Sequence, residues 1–333
     1  MFKSRTMYAL VFMILFVFGM CTLLFAQNKS LEEKAKELVS QLTLEEKIAL
    51  TVGDGRFLPS EQLKMEEVTE QYIANRNSKM LIPRLGIKTT ALTDGPCGIN
   101  KNAPEEGETP VYTTSFPTPT CIAATWNLEL MEKVGNAFGS ELLEYDYDLV
   151  LMPAMNLHRN PRCGRNFEYY SEDPLLSGKM AATMVKGLQA NGVGATLKHF
   201  LANNQESSRR KYNAVVSQRA LREIYLRGYE IAVKEGKPKA IMTAYNKLNG
   251  YYTPEIPGVL QNIVRDEWGF DGLYMTDFDM NYGDAVAQVR AGINLIMSGN
   301  KRELNEITTA LKNKVLDEST LDKNLFYNMK LKL

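Results

Sequence analysis

Asp277 stands at the end of a short apolar run, Gly272-Leu-Tyr-Met-Thr-Asp-Phe278. The run reads as a buried strand that delivers one carboxylate to its C-terminal tip, where an α/β barrel assembles its reacting groups. Similar tips recur along the chain. Thr93-Asp94-Gly95-Pro96 turns directly after Thr90-Ala-Leu92, Lys198-His199-Phe200 follows Gly194-Ala-Thr-Leu197, and Tyr245-Asn246 follows Ala240-Ile-Met-Thr-Ala244. Between them lies Arg159-Asn-Pro-Arg-Cys-Gly-Arg165-Asn-Phe-Glu168, a loop too charged for a core. Each piece alone has a plain structural explanation: an Asp before Gly forms turns, a Lys-His pair sits on a surface, a Tyr packs. Brought to one ring, acids, bases and guanidinium groups offer both the acceptors and the donors that a polyhydroxylated ligand requires.

A repeating frame must position these groups. Apolar runs end near Asp94, Trp126, Pro153, His199, Tyr245, Asp277 and Met297, and helical patterns fill most gaps, as in 174–190, 217–235, 257–268 and 303–316. Strands that alternate with helices describe βα units and a parallel sheet. The fold class expected is therefore α/β, a TIM-type (β/α)8-like barrel, irregular or incomplete because an eighth strand cannot be placed. An open doubly wound sheet is the alternative, but no glycine-rich dinucleotide fingerprint opens any of these helices. Leu31, Ala35, Leu38, Val39 and Leu42 predict an amphipathic helix over 31–41, and Thr43-Leu-Glu-Glu46 has capping-box spacing for a second. Trp126 and Trp268 read as core residues or as a platform for an apolar ligand face.

The balance of 39 basic and 39 acidic residues gives no net charge, so nothing points to nucleic acid. A length of 333 residues suits one barrel, which takes roughly 250, together with extra segments. Residues 1–26 form a separate unit. Lys3 and Arg5 precede an apolar stretch from Met7 to Ala26, which reads as a signal peptide and predicts an exported, periplasmic or extracellular protein. An uncleaved membrane anchor is the alternative. Of the cysteines beyond it, Cys97, Cys121 and Cys163 have no metal or redox spacing and are expected as buried free thiols.

Competing chemistries rank low. Only two histidines exist, His158 and His199, so a multi-histidine metal site is not expected, nor any cofactor. The Gly-x-Ser-x-Gly elbow of a serine hydrolase is missing. A Schiff-base role for Lys198 is weaker than hydroxyl binding, given its neighbouring His and the other polar tips.

The stretches Leu92-Thr-Asp-Gly-Pro-Cys-Gly98, Phe116-Pro-Thr-Pro119, Ala123-Ala-Thr-Trp-Asn127, Gly164-Arg-Asn-Phe-Glu168, Ser171-Glu-Asp-Pro174, Lys198-His-Phe-Leu-Ala-Asn-Asn-Gln-Glu206, Met242-Thr-Ala-Tyr-Asn246 and Gly269-Phe-Asp-Gly-Leu-Tyr-Met-Thr-Asp277 occur in one order. In that order they resemble the N-terminal barrel domain of glycoside hydrolase family 3, on its β-glucosidase branch. The resemblance implies a barrel over 27–333 and a retaining exo-β-glycosidase that removes a non-reducing terminal β-D-glucosyl residue from small β-glucosides or oligosaccharides. It assigns Asp277 as the nucleophile that forms a covalent glycosyl-enzyme. It assigns Asp94, Arg165, Lys198, His199, Arg209 and Tyr245 to the sugar hydroxyls, with Met242 as an apolar contact. Lys198 and Arg165 are expected to favour the ionised form of Asp277.

The chain also departs from the family pattern. Phe278 stands where a Trp usually follows the nucleophile, and Asn294 stands where an Asp is usual. On this branch a glutamate in a second, α/β sandwich domain supplies the general acid/base. Residues 317–333 are expected to be the stub of a linker to such a domain, and impaired activity follows if no partner chain brings one. Single-domain relatives use a histidine in the loop after the Lys-His strand, and 201–212 holds none. Glu168, Asp173 and Glu206 lie on nearby loops and are expected to be structural. The alternative reading is a catalytically incomplete sugar-binding barrel or a truncated gene product.

Overall fold

The computed structural model describes residues 29–53, 80–100, 112–280 and 282–333, so the expected signal segment lies outside the described residues. After a short antiparallel pair, β1 (Met80–Ile82) with β2 (Ile87–Lys88), come the strands that carry the site. They are β3 (Leu92–Asp94), β4 (Leu149–Leu151) and β5 (Gly194–Phe200), followed beyond β6 (Asn213–Ala214) by β7 (Ala240–Thr243). Beyond β8 (Lys247–Leu248) and β9 (Tyr251–Tyr252), β10 (Leu273–Met275) ends the series. The order β10-β7-β5-β4-β3 is parallel throughout. Two parallel bridges, Met275 with Leu295 and Val52 with Ile296, extend the curve beyond β10. All these segments point their C-terminal ends the same way, as expected of the (β/α)8-like class.

Helices occupy the crossovers. Leu128–Glu144 lies between β3 and β4, Pro174–Gln189 between β4 and β5, 218–236 between β5 and β7, and the π-wound Val259–Glu267 between β7 and β10. Pro174–Gln189 starts where it does because Asp173 accepts from the Leu175 and Leu176 amides and Pro174 needs no donor of its own. Its neighbour Leu128–Glu144 approaches closely through glycines: a Cβ on Gly187 would lie 2.5 Å from the Glu132 carbonyl. Helices 31–40 and 44–51 begin with capping boxes at Ser30 and Thr43, of which the Thr43 box was expected from its spacing.

Inside the curve, Leu92, Leu149, Leu151, Ala240, Met242, Leu273, Met275, Leu295 and Met297 form one buried cluster, with Phe278 and Leu331 packed against it. This is a filled barrel interior rather than a pore.

The strand expectations need correction. The run ending near Trp126 is not a strand: Thr118 caps the helix Pro119–Ala123 with Pro119 in its first turn, and the cap signal outweighs the short apolar run. Trp126 itself is 74% exposed, whereas Trp268 is in the core. Val52 instead joins the curve alongside Ile296, through a single-residue bridge with no strand-like pattern to announce it. Residues 317–333, expected as a linker stub, contain the helix Glu318–Lys332, whose Leu325 and Met329 share a core with Val39, Leu50 and Ile82. Full burial of each such side chain contributes roughly 1.5–3 kcal/mol.

Candidate active site

The polar tips meet where the sheet opens. Asp94 ends β3 and turns at Gly95, which holds φ 146° and where a Cβ would collide with the Gly98 carbonyl. The Asp-Gly pair is therefore both a turn former and a site element. Lys198 donates to Asp94, although the two lie on non-adjacent strands. His199, the next residue, reaches the nucleophile candidate instead, with Nε2 3.8 Å from Asp277 Oδ2. Successive strand residues normally face opposite sides of a sheet. Here the pairing of β5 with β7 shifts register between Leu197 and Phe200, and the irregularity aims both side chains at the site. Asn156 pins the His199 backbone from both sides, donating to its carbonyl and accepting from its amide at 2.8 Å each.

Arg165 comes from the loop after β4 and donates to Glu168. Arg209 comes from the loop after β5, donates to Glu206 at 3.0 Å and stacks 4.3 Å from the Tyr245 ring centroid. Tyr282 donates to the Tyr245 carbonyl at 3.1 Å, and Arg210 spans both tyrosines. Met242 pairs with Met275 in the barrel-interior cluster, and Phe278 packs against that cluster, so these two form the apolar floor.

Burial is the largest influence on Asp277 and raises its pKa. The Phe278 amide, which donates to Oδ1 at 2.8 Å, opposes that, as do Lys198, Arg165 and the Tyr245 hydroxyl. The cations thus act in the expected direction but do not win. Oδ2 is buried and accepts no hydrogen bond of normal geometry from the described residues. Asp94 behaves oppositely. Burial would raise it, yet Lys198, the Gly95 amide and Arg165 hold it below its ordinary value. His199 is kept neutral by burial and then by Arg165, Lys198 and Arg209, so its contact with Asp277 is not an ion pair.

All the expected residues, Asp94, Arg165, Lys198, His199, Arg209, Met242, Tyr245, Asp277 and Phe278, belong to this one region. Sequence reasoning overlooked Asn156, Tyr169 and Asn203, which brace it. Asn156 had a readable signal, a lone amide inside the apolar stretch Pro153-Ala-Met-Asn-Leu157. Tyr169 and Asn203 gave none, because a tyrosine among Tyr-Tyr-Ser and an asparagine in Asn-Asn look like ordinary loop residues. Glu168 and Glu206 are engaged by arginines, and Asp173 caps a helix. Cys97, Cys121 and Cys163 are free thiols, but only Cys163 is buried and Cys121 is exposed. Among the described residues no group of three or more His, Cys, Asp or Glu side chains is arranged to hold a metal ion.

Residues 30–326 match the family described as "Glycosyl hydrolase family 3 N terminal domain". The chain is 44% identical over 242 residues to β-glucosidase A of Butyrivibrio fibrisolvens, spanning 73% of this chain and 28% of that protein. It is 38% identical over 298 residues to an exo-α-(1→6)-L-arabinopyranosidase of Bifidobacterium longum, spanning 88% and 36%. It superposes on the structure of β-glucosidase 3B from Thermotoga neapolitana in complex with glucose with a TM-score of 0.80 at 48% identity, covering 89% of this chain and 42% of that one. It thus spans about a third of the length of the curated relatives it matches. The curved parallel sheet, the polar ring at its C-terminal ends and these matches agree: this chain belongs to glycosyl hydrolase family 3, and residues 30–326 carry its N-terminal barrel.

Proposed function

We propose that this barrel binds the terminal sugar of a β-glucoside and attacks it with Asp277, as a retaining exo-β-glycosidase. The observation that carries the reading is the buried, hydrogen-bond-free Oδ2 of Asp277 beside the Lys198–Asp94 pair and His199. In the first step Oδ2 bonds to the anomeric carbon while the bond from that carbon to the leaving oxygen breaks, and a general acid protonates the leaving group. Water, deprotonated by the conjugate base, then releases the sugar with its anomeric configuration retained. Lys198, Arg165 and Arg209 supply donors to the hydroxyls, Asp94 an acceptor, and Met242 and Phe278 the apolar floor. The relatives' names include both a β-glucosidase and an L-arabinopyranosidase, so the sugar itself is part of the proposal.

The general acid is assigned to a residue outside the described ring, carried by a further domain or a separate chain. Glu168 and Glu206 are occupied by guanidinium groups and Asp173 by helix amides, which favours this second component over a local substitute. Loss of one proton-transfer group costs about 10²–10⁴-fold in rate. The chain alone should therefore cleave a dinitrophenyl β-glucoside, whose leaving group needs no proton, and turn over cellobiose slower by a factor of that order. Equal rates on both would overturn the external acid. No turnover of either by folded protein would favour a sugar-binding barrel without hydrolysis. Export is proposed from the basic and apolar start of the chain.

A further inference from the structure

His199 is buried, neutral and the only imidazole at the site, so a single proton position decides what it can do. A neutral imidazole carries its N–H on one nitrogen and accepts on the other. Nε2 faces Asp277, while Nδ1 faces the Tyr169 hydroxyl at 3.5 Å. Tyr169 is fully buried, and its oxygen lies 2.9 Å from Asn203 Nδ2.

Hydrogen positions in such a network follow from which partners can only donate or only accept. Asn203 Nδ2 also lies 2.8 Å from Glu206 Oε1, a carboxylate oxygen that can only accept. The amide therefore presents its NH2, not its carbonyl, to Tyr169. The Tyr169 oxygen accepts from Asn203, and among the described residues Nδ1 is the one acceptor within reach of its own hydrogen. Glu206 is in turn held by Arg209 through Oε2 at 3.0 Å. The direction of every bond is thereby set from Glu206 to the imidazole.

We infer that Tyr169 is a positioning residue that locks His199 as the Nε2–H tautomer, through a directed relay Glu206–Asn203–Tyr169–His199. The relay makes His199 a hydrogen-bond donor at the nucleophile's edge. Nε2–H offers a proton to a sugar hydroxyl oxygen and a dipole to the Asp277 carboxylate, and it cannot take a proton from either. His199 is thus excluded as the missing base. The inference rests on the proposed function for what Nε2–H meets, but the tautomer stands on the relay alone.

The chain's two histidines make the test direct. Long-range 1H–15N correlation on the full-length protein labelled with 15N-histidine reads both imidazoles, and His199→Gln identifies the His199 signals by their loss. The expected result is a neutral His199 with its proton on Nε2. In Tyr169→Phe the Nδ1 partner is gone, and a mixture of tautomers should appear with kcat/KM on aryl β-glucosides lower by several-fold to about tenfold. Asn203→Ala, which frees the tyrosine hydroxyl to rotate, should move the same signals less. An Nδ1–H tautomer or an imidazolium in the unsubstituted protein overturns the relay, whether or not the variants fold. A tautomer unchanged in folded Tyr169→Phe overturns the role of Tyr169. An Nε2–H tautomer in a protein that shows no Asp277-dependent hydrolysis would leave the relay standing and remove the proposed function.

Discussion

Replacing Asn294 with Asp should stabilise the barrel wall, and the reason lies in Arg265. Its guanidinium is buried, and its hydrogen bonds go to neutral acceptors, the Phe270 carbonyl and Asn294 Oδ1, each at 3.1 Å. The rings of Tyr327 at 3.5 Å and Tyr274 at 4.4 Å flank it, and burial holds its pKa below the usual arginine value. Asn294 Oδ1 also accepts from the Tyr274 amide at 2.6 Å. A carboxylate of the same shape turns the Tyr274 amide bond into a charge-assisted one and the Arg265 bond into an ion pair, each worth about 1 kcal/mol more than with the neutral acceptor. Against this, Asn294 Nδ2 would no longer donate to the Gly292 carbonyl, a loss of about 1 kcal/mol. Burying a new carboxylate is the larger opposing effect, offset because the guanidinium beside it has already lost its water. The net expectation is a gain of at most about 1 kcal/mol, or roughly 1–2 °C in melting temperature for a chain of this size. Thermal melts of Asn294→Asp at pH 7 measure it, with Arg265→Met as the second arm of a double-mutant cycle. The gain should vanish below about pH 4, where an ordinary Asp protonates. A destabilisation equal in both backgrounds would refute the reasoning, because it would show no coupling between the two residues.

Other outcomes follow from the site. Burial raises the pKa of Asp277, and such a carboxyl costs stability above its unfolded pKa, a cost that disappears as pH falls below that value. Asp277→Asn should therefore melt higher than the parent at pH 7, with the difference shrinking towards pH 4, while hydrolysis is lost. The same shift moves the acid limb of kcat/KM upward from where an ordinary aspartate would place it, which a pH–rate profile reads. Lys198→Met removes both a hydroxyl donor and the counter-ion of Asp94, so kcat/KM on aryl glucosides should fall about 10–100-fold, one charged hydrogen bond's worth. Expression in a Gram-negative host followed by fractionation should find the chain in the periplasm or medium, and recovery with the cytosol would contradict export.

Much of the site was legible because the barrel rule turns one-dimensional order into a ring. Polar residues at the ends of apolar runs, Asp94, Lys198, Tyr245 and Asp277, needed only the assumption of parallel strands to converge. The helices announced themselves through apolar periodicity and, at Thr43, through capping-box spacing, both of which are local properties. What stayed hidden was non-local. Val52 joins the sheet through one bridge set by its packing beside Ile296. Lys198 and His199 both face the site because of a register shift that no residue type signals. The balance on Asp277 was hidden for a similar reason: a sequence shows that cations are near, but not that burial outweighs them. Tyr169 and Asn203 matter through their contacts with His199 and Glu206, and those contacts exist only in the folded chain.

The central claim is that Asp277 attacks the anomeric carbon. It is tested most directly by incubating the folded protein with 2,4-dinitrophenyl 2-deoxy-2-fluoro-β-D-glucoside, digesting it and mapping the label by mass spectrometry. The account predicts one fluoroglucosyl group per chain, on the peptide containing Asp277 and on that carboxylate. A label on another carboxylate, or none on folded protein that hydrolyses the parent dinitrophenyl glucoside, would contradict it.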